Sequence, residues 1–166
     1  MALISGSDRT VPVTVQARAE VGPATAFAVV VPIDLSVVFR RWGPFPGVRG
    51  VRNQTGPWDR VGASRNPDLT DGSTATEALT EYEPGHSFAY ELTGFTNSVG
   101  RLVSGVRGEW TFTPDGDGTV IRWTYEFKPR PARHALIGLG LAPLWRRYMR
   151  SALTRTITAV ESAAST

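Results

Sequence analysis

The stretch GEWTFTPDGDGTVIRWTYEFK, residues 108–128, decides the fold. Two runs of period-two alternation flank Pro114-Asp115-Gly116-Asp117-Gly118, and Asp-Gly steps between such runs are hairpin chemistry. Folding the runs about that turn sets Phe112 against Ile121, Trp110 against Trp123 and Gly108 against Tyr125. One face of the ribbon is therefore aromatic. The other carries Arg107, Glu109, Thr111, Arg122, Thr124, Glu126 and Lys128, and faces water.

The same punctuation recurs upstream. Thr55-Gly56-Pro57, Thr70-Asp71-Gly72 and Glu83-Pro84-Gly85 separate alternating segments, so a meander of six strands is expected from residue 51 onward. Turn-centred register places Arg65 opposite Glu77, Ala63 opposite Leu79 and Val61 opposite Glu81. The next hairpin places Glu81 opposite Phe88, Leu79 opposite Tyr90 and Glu77 opposite Leu92. The aromatic face then gains Phe88, Tyr90, Leu92 and Phe127, with Arg65, Glu77 and Glu81 embedded in it. Residues 11–21 alternate as a seventh strand, and residues 24–30 and 34–40 read as two short helices, the second capped by Asp34. The Gly, Pro and aromatic content of residues 41–50 predicts loop.

An aromatic sheet face needs a cover. Leu141, Trp145, Tyr148, Met149, Ala152, Leu153, Thr156, Ile157 and Val160 recur at spacings of three and four, the period of an amphipathic helix. Pro143 either starts that helix or kinks a longer one beginning near Ala132. The expected architecture is α+β: a curved antiparallel seven-strand sheet wrapped around a long C-terminal helix, with two short helices after the first strand, in one domain spanning residues 1–166.

Composition removes several functions. With no cysteine there is no disulfide, thiolate metal site or cysteine nucleophile. The two histidines, His86 and His134, lie far apart without a ligand pattern, so no metal is expected. Gly138-x-Gly140 lacks the rest of a dinucleotide fingerprint, and no phosphate loop is present, so no nucleotide cofactor is expected either. The net charge of +3 is too small to imply nucleic acid as a partner, and the arginines are mostly dispersed among acids. Lys128, Arg130, Arg133, Arg146, Arg147, Arg150 and Arg155 are the exception, facing only Glu161; they suit either a solvated helix face or an anionic partner. No apolar run reaches membrane-spanning length and no signal-peptide pattern opens the chain, so a cytoplasmic location without stable membrane insertion is expected. A monomer and a homodimer, paired by a sheet edge or a Trp145 face, are both compatible with the sequence.

The order of elements resembles that of the START-like helix-grip superfamily, which includes the major birch pollen allergen and the polyketide cyclase/dehydrase proteins. The resemblance covers almost the whole chain and is carried by Pro-Ala-Thr-Ala-Phe at 23–27, Trp58-Asp59-x-x-Gly62, Glu77-x-Leu79-x-Glu81-Tyr82-Glu83-Pro84, Phe88-x-Tyr90, Gly108-x-Trp110-x-Phe112 and Gly118-Thr119-x-x-x-Trp123-x-Tyr125-x-Phe127. It implies a hydrophobic cavity between sheet and helix that binds a lipid, a polyketide-like compound or another small apolar molecule, and it leaves open whether chemistry occurs there.

Within that implied cavity Arg65 and Glu77 stand out, because two charges on an apolar face are costly unless paired or used. They read either as a cross-strand pair that fixes register or as a site where Glu77 is a general acid or base and Arg65 anchors a carboxylate or enolate. Tyr90 and Tyr125 add hydroxyls to the same face, as core aromatics or as hydrogen-bond donors to a ketone. Ligand contacts are expected from Leu79, Glu81, Phe88, Leu92, Trp110, Phe112, Trp123 and Phe127 on the sheet, from Trp58, and from Trp145 and Met149 on the helix. Residues 42–47 and 95–98 are the expected entrance, while Gly94, Gly105 and Gly108 leave room for the cavity. The functional expectation is a cofactor-independent cyclase or dehydratase acting on a polyketide-like substrate. The alternative is a non-catalytic carrier of lipid or another small molecule, or a ligand-responsive regulator.

Overall fold

A computed structural model describes residues 2–165. Its strands are β1 (Val11–Ala19), β2 (Val48–Arg52), β3 (Ser64–Leu69), β4 (Thr76–Glu83), β5 (Ser87–Thr93), β6 (Val103–Asp115) and β7 (Gly118–Pro129). They form one antiparallel sheet in the order β1-β7-β6-β5-β4-β3-β2, so the first two strands in sequence occupy opposite edges. The short helices α1 (Pro23–Val30) and α2 (Leu35–Val38) make that crossing. Asp34 caps α2, its carboxylate accepting from the Ser36 hydroxyl at 2.7 Å and from the Ser36 amide at 2.9 Å, and these two bonds hold the carboxyl below the usual carboxylate range.

Why these residues pair as they do is clearest at β6 and β7. Trp110 opposes Trp123, Phe112 opposes Ile121 and Gly108 opposes Tyr125, as turn chemistry dictates. The turn residue Gly116 has a φ of 61°, the left-handed conformation such a tight hairpin requires. Arg18 on β1 clamps the tip, reaching Asp115 at 2.9 Å and Asp117 at 2.8 Å. β2 begins at Val48, within the segment expected to be loop, because its amides find partners along β3.

Register departs from expectation at one point. Leu79 does oppose Tyr90 and Glu77 opposes Leu92, but a β-bulge between Leu79 and Glu81 shifts the next partners, so that Glu81 faces Ala89 and Tyr82 faces Phe88. The extra residue rotates Glu81 out of the aromatic face and Tyr82 into it. Tyr82 packs edge-on against Phe27, 5.4 Å between ring centres. Val61 lies exposed in the preceding turn and opposes nothing.

The covering helix is a longer, interrupted one. A single turn, α3 (His134–Leu136), runs through a wide π-helical turn at Ile137–Leu141 into α4 (Ala142–Ala164). Pro143 offers no amide for an α-helical bond to residue 139, and the wider turn absorbs the deficit. Tyr148, Met149, Ala152, Leu153, Thr156 and Val160 are buried against the sheet, the face that the three-and-four spacing predicts. The outer sheet face is partly covered by the N-terminal segment: Leu3 sits over Gly105, and Lys128 donates to the Leu3 carbonyl at 2.7 Å and to Asp8 at 2.9 Å.

Candidate cavity between sheet and helix

Sheet, α2 and α4 line a partly open cavity between them. A stack of rings forms its floor. Trp110 and Trp123 lie nearly parallel at 4.8 Å between centres, and Phe88 stacks on Trp110 at 6.2 Å. Tyr125 turns its edge to Trp123 at 5.8 Å and meets Trp145 of α4 at 5.1 Å. These contacts follow from the alternation of β5, β6 and β7, which projects an aromatic residue inward at almost every second position.

Into this apolar wall project Arg65 and Glu77, both buried and both lining the cavity. They are directly opposed on β3 and β4, and Arg65 Nε donates to Glu77 Oε2 at 2.5 Å. The guanidinium also lies over the Trp58 ring, its carbon 3.9 Å from the ring centre, a cation–π contact. Among the described residues only one of the pair's possible hydrogen bonds is made. Among the described residues Trp145 Nε1 is the sole buried side-chain nitrogen or oxygen without a partner. Glu77 Oε1 and the terminal nitrogens of Arg65 make no hydrogen bond to the described residues, in two side chains that line the cavity.

Tyr90 lies beside them. Its hydroxyl accepts from Trp123 Nε1 at 3.2 Å. Burial raises this phenol above its ordinary range and the charge of Glu77 adds to the effect. Tyr125 is also raised well above the ordinary phenol range, first by burial and then by the proximity of Tyr90 and Glu77, and its hydroxyl makes no hydrogen bond to the described residues. Both remain neutral phenols and so can donate a hydrogen bond to an oxygen. Tyr148 also lines the space, but its hydroxyl already donates to the Pro46 carbonyl at 3.2 Å.

Of the residues expected to contact a ligand, Trp58, Phe88, Leu92, Trp110, Trp123, Phe127 and Trp145 line the cavity together with Arg65, Glu77, Tyr90 and Tyr125. Leu79, Phe112 and Met149 are buried in the packed core beside it and do not line it. Glu81 is a correction: the bulge places it on the outer face, where Arg107 donates to it at 2.9 Å. The glycines do not widen the space as expected. A Cβ on Gly108 would lie 2.2 Å from Tyr90 Cζ, so the tyrosine ring itself occupies the room that Gly108 leaves, and Leu3 fills that of Gly105 from outside. Trp145 faces the cavity and is no outward dimer face.

Phe45 and Pro46 from the first expected entrance loop, and Phe95 and Asn97 from the second, border the cavity. Val38 and Phe39 were not anticipated. They come from α2 and its end, and Phe39 turns its edge to Trp123 at 5.5 Å. A helix of one turn is too short to show periodicity, so nothing in the sequence marked which of its residues turn inward.

The profile of the family described as "Polyketide cyclase / dehydrase and lipid transport" matches residues 10–161. No curated protein sequence matches the chain. Among solved structures it is similar to Ara h 8.0201, with a TM-score of 0.65 at 14% identity over 93% of this chain and 97% of that one. It is also similar to XoxI from Bacillus cereus, with a TM-score of 0.60 at 12% identity over 92% and 94% of the two chains. DynU16, a protein in the dynemicin biosynthetic locus, gives a TM-score of 0.63 at 16% identity, covering 92% of this chain and 48% of that one. At such identities the likeness is one of fold, and the shared fold is the helix-grip.

Proposed function

The chain belongs to the polyketide cyclase/dehydrase and lipid transport family, and from that membership we propose that its cavity encloses a small, largely apolar polycarbonyl compound and catalyses its cyclisation or dehydration without a cofactor. The observation that carries this reading is the unspent hydrogen-bonding capacity of the Arg65–Glu77 pair inside an aromatic chamber. A pair serving register alone gains nothing by leaving Oε1 and two guanidinium nitrogens without a partner among the described residues.

In this reading the free oxygen of Glu77 takes a proton from the carbon between two carbonyls, and Arg65 holds the enolate oxygen that forms. The enolate carbon bonds to a second carbonyl carbon of the same molecule, and the resulting alkoxide takes the proton that Glu77 holds, with Tyr125 as a hydrogen-bond donor to that oxygen. Glu77, a carboxylate again, then removes a second proton from the carbon between the carbonyls and passes it to the hydroxyl, which leaves as water and gives the unsaturated ring. The stacked Trp110 and Trp123 favour a flat product.

A carrier role without chemistry is the second reading, favoured by the preponderance of apolar lining over the single charged pair. The two are separated by denaturing freshly purified protein, identifying any stoichiometric small molecule by mass spectrometry, and following that compound with wild-type protein and Glu77→Gln. The catalytic reading expects turnover to fall at least a hundredfold, by about the usual contribution of a general base, while the variant binds the compound as the wild type does. Unchanged conversion in Glu77→Gln, or binding without any conversion by the wild type, overturns it. In the carrier case Trp110→Ala or Trp123→Ala weakens binding more than Glu77→Gln does.

A further inference from the structure

The segment that joins α3 to α4 exposes large apolar side chains. Leu139 is 84% exposed, Leu136 52% and Leu144 38%. They stand on the wide π-helical turn and on either side of it, the same turn whose Leu141 lines the cavity. Beside them Arg133, Arg146, Arg147 and Arg150 are exposed, and none of the four forms an ion pair with a described residue. No aspartate or glutamate occurs between Glu126 and Glu161. Within α4, positions 143, 146, 147 and 150 fall on one side, away from the face that Met149, Ala152 and Thr156 bury.

We propose that this outward face docks reversibly on an anionic lipid bilayer, with the leucines dipping into the interface and the arginines against the headgroups. Two observations favour a bilayer over a protein partner. A side chain as exposed as Leu139 rests against no shelf of its own protein that a shaped surface could complete, whereas a fluid interface accommodates a single projecting leucine. Unpaired arginines with long stems let the charge stay at headgroup level while the chain beneath is buried. Among the described residues no helix is long and apolar enough to cross a membrane, so the contact is one of surface. Leu141 and Trp145 bring the rim of the cavity to the docking face, which gives an apolar guest a short path between bilayer and chamber.

The test is flotation of the whole chain with vesicles of phosphatidylcholine alone and of phosphatidylcholine containing one third phosphatidylglycerol. Binding is expected to the anionic vesicles only, and to be lost in high salt. Arg146→Ala with Arg147→Ala weakens it by about 25-fold, at about fivefold per arginine, and Leu139→Ser by on the order of tenfold. Melting curves of both variants should match the wild type, since the altered side chains are exposed. Absence of binding to either vesicle, equal binding to both, or binding indifferent to these substitutions overturns the proposal. So does size-exclusion chromatography in which the wild type is a dimer and Leu139→Ser a monomer, with no vesicle binding, which would assign the face to a second copy. None of these readouts depends on turnover or on Glu77, so the docking face and the catalytic reading stand or fall separately.

Discussion

Arg65 and Glu77 together replace a stretch of apolar wall with two opposed charges, and the cost of that arrangement can be measured. Removing one partner strands the other: Arg65→Ala or Glu77→Ala should each lower unfolding free energy by about 3–5 kcal/mol. Replacing both, as Arg65→Met with Glu77→Leu, should restore most of that loss in urea unfolding, since an apolar pair satisfies the same surroundings. A double variant as unstable as the singles would mean that the pair is indispensable to the fold. Gly108 offers a sharper steric test. A methyl group there meets the Tyr90 ring at 2.2 Å, so Gly108→Ala should cost at least about 1–3 kcal/mol and displace the ring that accepts from Trp123. An unaltered melting curve would show that the ring has elsewhere to go. The charged pair was legible in the sequence because turn chemistry fixes the register of β3 and β4. The use of Gly108 was not, since a glycine in a strand signals close approach without saying by what.

At the level of strands and helices, one inserted residue decides which acid belongs to the cavity. The bulge before Glu81 turns that carboxylate to the outer face, beside Arg107 and largely in water. Glu81→Gln should therefore leave ligand binding and turnover unchanged and shift stability by no more than about 0.5 kcal/mol. A loss of turnover would place Glu81 back inside. Alternation alone could not reveal this, because a bulge leaves the hydrophobic pattern of β4 nearly intact while reversing its phase: Tyr82 reads as apolar enough for either face. The long helix was legible for the opposite reason. Its buried residues recur over about five turns, and a pattern of that length survives the local distortion at Pro143. β2 was missed in part because Gly and Pro before it speak for loop, and only the neighbouring β3 makes residues 48–50 a strand.

For the whole molecule, three of the four tyrosines give the fold a characteristic response to alkali. Burial holds Tyr90, Tyr125 and Tyr148 above the ordinary phenol range, whereas the unfolded chain returns them to about 10. A folded value above the unfolded one means that their stabilising contribution is complete below about pH 10 and is lost as the pH climbs beyond it. Denaturant midpoints should fall steeply above that pH, and phenolate absorbance from these three should rise together with loss of the fold. Early, independent ionisation of all tyrosines would contradict the closed chamber. The overall architecture could be derived from alternation, turns and one helical stripe. The shape of the cavity could not, since it depends on how α2 and the π-helical turn approach the sheet across long sequence distances.

The sheet order sets a timetable as well as a shape. Val11 pairs with Phe127, more than a hundred residues later, so a chain emerging from the ribosome holds β1 without its partner until almost all of the sheet has been made. The meander from β2 to β7 can zip hairpin by hairpin during synthesis, while β1 waits and the long helix follows last of these elements. Such non-local closure belongs with slow folding, in milliseconds to seconds. The chamber therefore comes into existence only at the final step, and a guest present at that moment can be enclosed without passing any door.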